Sequence, residues 1–159
     1  MALEGVPAIY IHSFFATAND TQQLAKTEHN RDINRHIWSY SALQDALADT
    51  SSIHSQVLQG LNKLLAVRQK QPAFHPNATQ FTLHLPDTLF GFWRQSLRRN
   101  QSIFVINNVT NQSQTLSLAQ LNLIDMDDWI ELLSGEPITD LYGEVELAPY
   151  QTLWISNHW

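Results

Sequence analysis

The residues able to do chemistry crowd into one polar stretch. Thr17 to His36 carries Asp20, Lys26, Glu28, Arg31, Asp32 and Arg35, with His29 inside it and His36 at its end. An arginine guanidinium is a fixed fork of donors, suited to carboxylates. Arg31 is therefore either a ligand donor or half of a loop salt bridge to Asp20, Glu28 or Asp32. A metal site would need at least three convergent ligands, and no His-x-x-x-His pair occurs, so no metal is expected. His54, His75 and His84 read as surface or partly buried positions. Ser13, His12 and Asp20 do not make a nucleophile set, because neighbours on a strand point to opposite faces. The stretch is too polar for a core and too long for a turn, and long ordered loops of this kind are often functional.

The elements on either side must position it. Ahead of it, Val6-Pro7-Ala8-Ile9-Tyr10-Ile11 is a short apolar run rich in β-branched and aromatic residues, and His12 ends it. It predicts a strand buried on both faces, the pattern of a parallel sheet. Behind it, Ser41-Ala42-Leu43-Gln44 matches a capping box and predicts a short helix to Ala48. Thr50-Ser51-Ser52 offers a second N-cap. Ile53, Val57, Leu58, Leu61, Leu64 and Leu65 then form one helical stripe that Pro72 ends. From Ala73 onward the apolar residues alternate instead. Phe81 with Leu83 and Leu85, Leu89 to Trp93, Ile103 to Ile106, Leu116 with Leu118, Trp129 to Leu133, Val145 with Leu147, and Leu153 to Ile155 predict short antiparallel strands of a sandwich. Trp129 and Trp154 are expected in its core. Trp93 fits either core or a stacking surface, and Trp159 is expected to be exposed.

Composition narrows the classes. The chain has 159 residues, 43% hydrophobic and only 15% charged, with a formal net charge of −6. That excludes a disordered chain. Acidity without a dense basic block argues against a nucleic-acid or anionic-membrane partner, and Arg94, Arg98 and Arg99 are too sparse for a phosphate track. The absence of cysteine excludes disulfides and thiolate chemistry and fits a reducing compartment. The first residues lack the basic and apolar regions of a signal peptide, and no apolar run is long enough to span a bilayer. A cytoplasmic location is expected. One buried parallel strand cannot cover its own faces, so the front of the chain reads as the end of a larger body.

These segments resemble known enzymes. Gly5-Val6-Pro7-Ala8-Ile9-Tyr10 is similar to the last barrel strand of the α-amylase superfamily. Asn19-Asp20, followed by Asn30-Arg31-Asp32-Ile33-Asn34-Arg35-His36, resembles the segment after that strand in the sucrose phosphorylase branch. Related glucosylglycerate-type phosphorylases carry a similar one. Trp129-Ile130-Glu131-Leu132-Leu133-Ser134-Gly135, Leu147-Ala148-Pro149-Tyr150-Gln151-Thr152-Leu153-Trp154 and Ile106-Asn107-Asn108 look like parts of the small all-β domain that ends these enzymes. The resemblance takes in nearly the whole chain but only the C-terminal third or so of such an enzyme.

The implied fold is α+β, mainly β. Residues 1–72 would be a partial (β/α)₈ barrel remnant of one strand and two helices, and residues 73–159 an antiparallel β-sandwich. Barrel active sites sit at the C-terminal ends of strands, so the polar stretch would line a sugar pocket. Arg31 would correspond to the arginine that hydrogen-bonds bound glucose, with Asp20, Asp32 and Arg35 bracing the loop. The resemblance places the nucleophile and the acid/base on earlier strands, and Asp20 and Asp32 match neither. The chain is thus expected to hold no catalytic residue and no cofactor, and to be inactive alone. The whole enzyme would pass glucose from an α-glucoside to phosphate through a covalent glucosyl-enzyme. Glucoside and phosphate would be partners only there. The alternative is a stand-alone, non-catalytic carbohydrate-binding or interaction domain, suggested by Met1 just ahead of the barrel-type strand. Without a barrel, Val6 to Ile11 and one face of the Ile53 to Leu65 helix would lie bare, so a homo-oligomer is expected if the chain is expressed alone.

Overall fold

A computed structural model describes residues 1–121, 123 and 128–157, and Trp159 lies outside them. The chain divides into two compact units. One is Ala8–Ala66; the other joins Met1–Pro7 to Val67–Trp159.

The Ala8–Ala66 unit is helical. Its elements are α1 (Ile11–Phe14), α2 (Thr21–Thr27), a 3-10 turn (Asn30–Asn34), α3 (Tyr40–Ala48) and all but the end of α4 (Ile53–Arg68). The strand expected from Val6 to Ile11 does not form. A parallel strand exists only when neighbours complete its hydrogen-bond ladder. Here the run stays unpaired and enters α1, with Val6 81% exposed. The polar stretch expected as a loop contains α2. Asp20 caps that helix by accepting the N–H of Gln23 at 2.8 Å, three residues on. The cap of α3 is Ser39, whose Oγ accepts from Ala42 N at 3.2 Å, and not Ser41, which lies inside the helix. Ser52 caps α4, accepting from Ser55 N at 3.1 Å, as the sequence suggests. No hydrophobic side chain between Ala8 and Ala66 is fully buried; Ser55 alone reaches that state.

The other unit carries the core. Six strands form an antiparallel sheet in the order β1-β2-β3-β8-β5-β6: β1 (Thr79–Thr82), β2 (Leu89–Gln95), β3 (Ser102–Asn108), β8 (Thr152–Asn157), β5 (Trp129–Glu131) and β6 (Glu136–Ile138). β4 (Gln114–Ser117) pairs with β7 (Glu144–Leu147) in a second small sheet. Alternation along each strand sorts side chains to two faces. Leu89, Phe104, Ile106, Leu153 and Ile155 pack with Leu116 and Leu147 of the small sheet, and with Trp129. The opposite face carries Phe92, Arg94, Ile103, Val105 and Trp154, all buried. Phe74, from the turn Pro72–Phe74, meets Trp154 edge-on at 4.8 Å. Trp129 and Trp154 are core residues, as their position in apolar strands implies.

Two polar groups organise this unit from inside. Arg94 is fully buried and donates to the carbonyls of Ala2 (2.8 Å), His75 (2.8 Å) and Ala78 (3.3 Å). Arg68 adds bonds to the carbonyls of Met1 (2.8 Å) and Phe74 (2.9 Å), so two guanidinium forks strap down the first residues. Glu131 is also buried. Its carboxylate accepts the backbone N–H groups of Leu133 (3.2 Å), Ser134 (2.6 Å) and Trp154 (2.9 Å). Those bonds close the β5 end and tie it to β8.

Candidate functional site

The polar stretch does line a cavity. A cleft of about 400 Å³ in the helical unit is walled by Thr17 to Gln22, His36, Trp38 and His54. A second hollow of about 230 Å³ shares Thr17, Ala18 and Asn19 and adds Tyr10, His12, Ser13 and Asn34. Short-range bonds shape both. The Tyr10 hydroxyl donates to the Asn34 carbonyl at 2.8 Å, and the Trp38 indole N–H donates to Thr17 Oγ1 at 2.9 Å. His36 and His54 each meet the Trp38 ring edge-on, at 5.0 Å and 5.1 Å.

The histidine tautomers follow from their partners. His54 Nδ1 lies 2.7 Å from the Phe15 carbonyl, which can only accept, so Nδ1 carries the proton. His36 Nδ1 lies 3.1 Å from Asp20 Oδ2 and donates to that carboxylate. With Nδ1 as donor, the neutral form of each ring carries its lone pair on Nε2. Two bonds hold the Asp20 carboxyl below the ordinary carboxylate range: first the Gln23 N–H, then the His36 ring. His12 Nδ1 is buried with no partner.

This arrangement can receive hydroxyl groups beside an indole ring, and Asp20 orients His36 as a proton acceptor. Asp20 is the single carboxylate on the described wall of the two hollows. Among the described residues no group of three or more His, Asp and Glu converges on a metal position.

Of the four residues singled out in the sequence, Asp20 alone lines the cleft. Arg31 lies exposed in the 3-10 turn, with Asp32 beside it in the same turn and Arg35 at the turn's C-cap. Among the described residues, no hydrogen bond or ion pair engages the side chains of Arg31, Asp32 or Arg35. The structure pairs Asp20 with His36 instead, and not with His12 or Ser13. Trp38 and His54 are wall residues that sequence reading does not single out. Signals for the rest were present: Asp20-Thr21-Gln22-Gln23 has capping-box spacing, and His36 and Trp38 stand two apart in an extended segment, hence on one side of it.

The fold is that of the C-terminal β-domain of α-amylase-type enzymes. The structure superposes on the α-amylase of Geobacillus thermoleovorans complexed with acarbose, with a TM-score of 0.60 and 17% identity, over 80% of this chain and 26% of that one. An Anoxybacillus α-amylase gives a TM-score of 0.57 at 17% identity, over 79% and 25%. No known family profile matches the chain. Sequence relatives are closer. The glucosylglycerate phosphorylase of Spirochaeta thermophila is 30% identical over 99% of this chain and 28% of its own length. That of Allomeiothermus silvanus is 32% identical over 98% of this chain and 25% of its own length. The sucrose phosphorylase of Bifidobacterium adolescentis is 35% identical over 45% of this chain. The chain corresponds to the C-terminal part of glucosylglycerate and sucrose phosphorylases, and spans about a quarter of the length of the glucosylglycerate phosphorylases it matches.

Proposed function

We propose that this chain serves as the C-terminal part of a glucoside phosphorylase, which transfers glucose with retention from an α-glucoside to phosphate. The near-complete match to glucosylglycerate phosphorylases over a quarter of their length carries the reading. In such an enzyme the helical unit contributes a loop to the sugar pocket, with Arg31 donating to glucose and Asp20, Asp32 and Arg35 supporting it. The β-domain braces that assembly, and the two carboxylates that make and break the glucosyl bond come from elsewhere.

The helical unit supports this placement. It spans Ala8–Ala66 without one fully buried hydrophobic side chain, while Ile37 and Tyr40 are 89% and 77% exposed. A layer built this way gains its stability from a larger body. An exposed Arg31 with no partner among the described residues is then a donor waiting for the pocket that body supplies.

A chimera tests the reading. This chain replaces the matching part of the Spirochaeta thermophila glucosylglycerate phosphorylase, and glucose 1-phosphate formation is measured. The chimera is expected to form it, the 159-residue chain alone to form none, and Arg31→Ala in the chimera to lose about a hundredfold or more in kcat/KM. A folded but inactive chimera, or turnover by the chain alone, overturns the proposal.

A further inference from the structure

Arg31 stands in the 3-10 turn Asn30–Asn34, and among the described residues no hydrogen bond or ion pair engages its side chain. The reach of its guanidinium is therefore set by the backbone beneath it. That backbone is tied down from outside the turn, through the residues that follow Arg31. The Asp20 N–H donates to the Ile33 carbonyl at 2.6 Å, and the Tyr10 hydroxyl donates to the Asn34 carbonyl at 2.8 Å. Just beyond the turn, His36 Nδ1 donates to Asp20 Oδ2 at 3.1 Å.

Asp20 is where these ties meet. Its N–H holds the turn, Oδ1 accepts the Gln23 N–H at 2.8 Å at the start of α2, and Oδ2 receives His36. The pair joins positions 16 residues apart and closes the loop that carries Arg31. His36 is itself braced. Its ring meets Trp38 edge-on at 5.0 Å, and the Trp38 indole N–H donates to Thr17 Oγ1 at 2.9 Å. Trp38 also meets His54 at 5.1 Å, whose Nδ1 donates to the Phe15 carbonyl at 2.7 Å. The His36 and Asp20 side chains are 37% and 23% exposed, so their pairing adds little to stability. What it supplies is a loop of fixed shape.

We propose that His36 is a positioning residue for Arg31. Its Nδ1–H holds the Asp20 carboxylate that closes the loop, and the closed loop sets where the guanidinium meets the glucosyl group of the substrate. The inference rests on the sugar-binding role proposed for Arg31. His36 acts through Asp20 and the turn, and its Nε2 takes no part. The effect on rate is large because a donor misplaced by about 1 Å can cost about a hundredfold.

The test uses the chimera with the Spirochaeta thermophila enzyme. Asparagine places an amide N–H near the position of Nδ1, and glutamine places one near Nε2. His36→Asn is expected to stay within about threefold of the unsubstituted kcat/KM, and His36→Gln to lose about tenfold or more. Asp20→Ser keeps a cap for α2, cuts the same link, and is expected to lose as much as His36→Gln. In the Arg31→Ala chimera, His36→Gln is expected to cost less than about twofold, because the group it positions is gone. The ring is partly exposed, so thermal midpoints are expected to hold in both His36 variants. Glutamine outperforming asparagine means that Nε2 touches the substrate, and overturns the proposal. A loss from His36→Gln that is equal with and without Arg31 means a general effect on the fold, and also overturns it. If Arg31→Ala itself has no effect, the sugar-binding reading fails and this inference falls with it. If Arg31→Ala is damaging while His36→Gln is neutral, this inference alone fails.

Discussion

Replacing Arg94 with methionine removes the donors that hold the first residues of the chain to the β-domain. The guanidinium is 0% exposed and serves the carbonyls of Ala2, His75 and Ala78. Burial lowers its affinity for the proton; Glu4 partly offsets that and Arg68 adds to it, yet an arginine stays charged at neutral pH. Methionine keeps an apolar side chain of similar length and supplies no donor. The carbonyls of Ala2 and Ala78 are then left in the interior, each at a cost of about 1–3 kcal/mol. The His75 carbonyl keeps the N–H of Ala78 at 2.9 Å. Relief of the buried charge offsets part of the loss, leaving about 2–4 kcal/mol of destabilisation. Urea unfolding followed by tryptophan fluorescence should show a midpoint about 1–2 M lower. Arg94→Lys restores the charge but not the fork, and should recover less than half of that shift. A methionine variant with a midpoint within about 0.3 M of the unsubstituted chain would refute the claim that this buried cation holds the unit together.

Glu131→Ala removes the acceptor of three N–H groups, the one at Trp154 buried, and should cost about 1–3 kcal/mol, read as a lower urea midpoint with faster amide exchange at Trp154. Gly91→Ala places a Cβ 2.5 Å from Leu85 Cδ1 and 3.0 Å from Ile106 Cδ1, and should cost about 1–3 kcal/mol through overpacking; an unchanged thermal midpoint would show that Leu85 moves aside freely. Acid should loosen the start of α2. The folded carboxyl of Asp20 is held below its unfolded value, so its contribution is present above about pH 4 and disappears as pH falls through the lower folded value. Carbon chemical shifts of Asp20 should titrate below the usual carboxylate range, and Asp20→Asn, which retains a capping oxygen, should flatten the pH dependence of exchange at Gln23.

What was legible in the sequence was local. The stripe from Ile53 to Leu65 yields α4 because helical spacing places those residues on one side whatever packs there. The alternation after Ala73 yields the strands, and Trp129 and Trp154 fall in the core because they share inward positions with leucines and isoleucines. In the sequence Arg94 belongs to a basic cluster with Arg98 and Arg99 that is too sparse for a phosphate track. Only the sheet register, which places Arg94 opposite Ile103, puts it on a buried face. Glu131 had no signal as a backbone acceptor, because its three donors come from its own turn and from β8.

The front of the chain divides along the same line. The motifs carried the resemblance to a phosphorylase C-terminal segment, and the residue types marked a polar stretch, since residue types and their order survive in the sequence whatever surrounds them. Whether Val6 to Ile11 becomes a strand was never a property of those residues, because a strand borrows half its hydrogen bonds from neighbours. Likewise the pairing of Asp20 with His36 and the edge contacts of Trp38 with His36 and His54 depend on distances between residues up to 16 apart in the chain. Sequence order does not encode those distances; they exist only once the chain has folded.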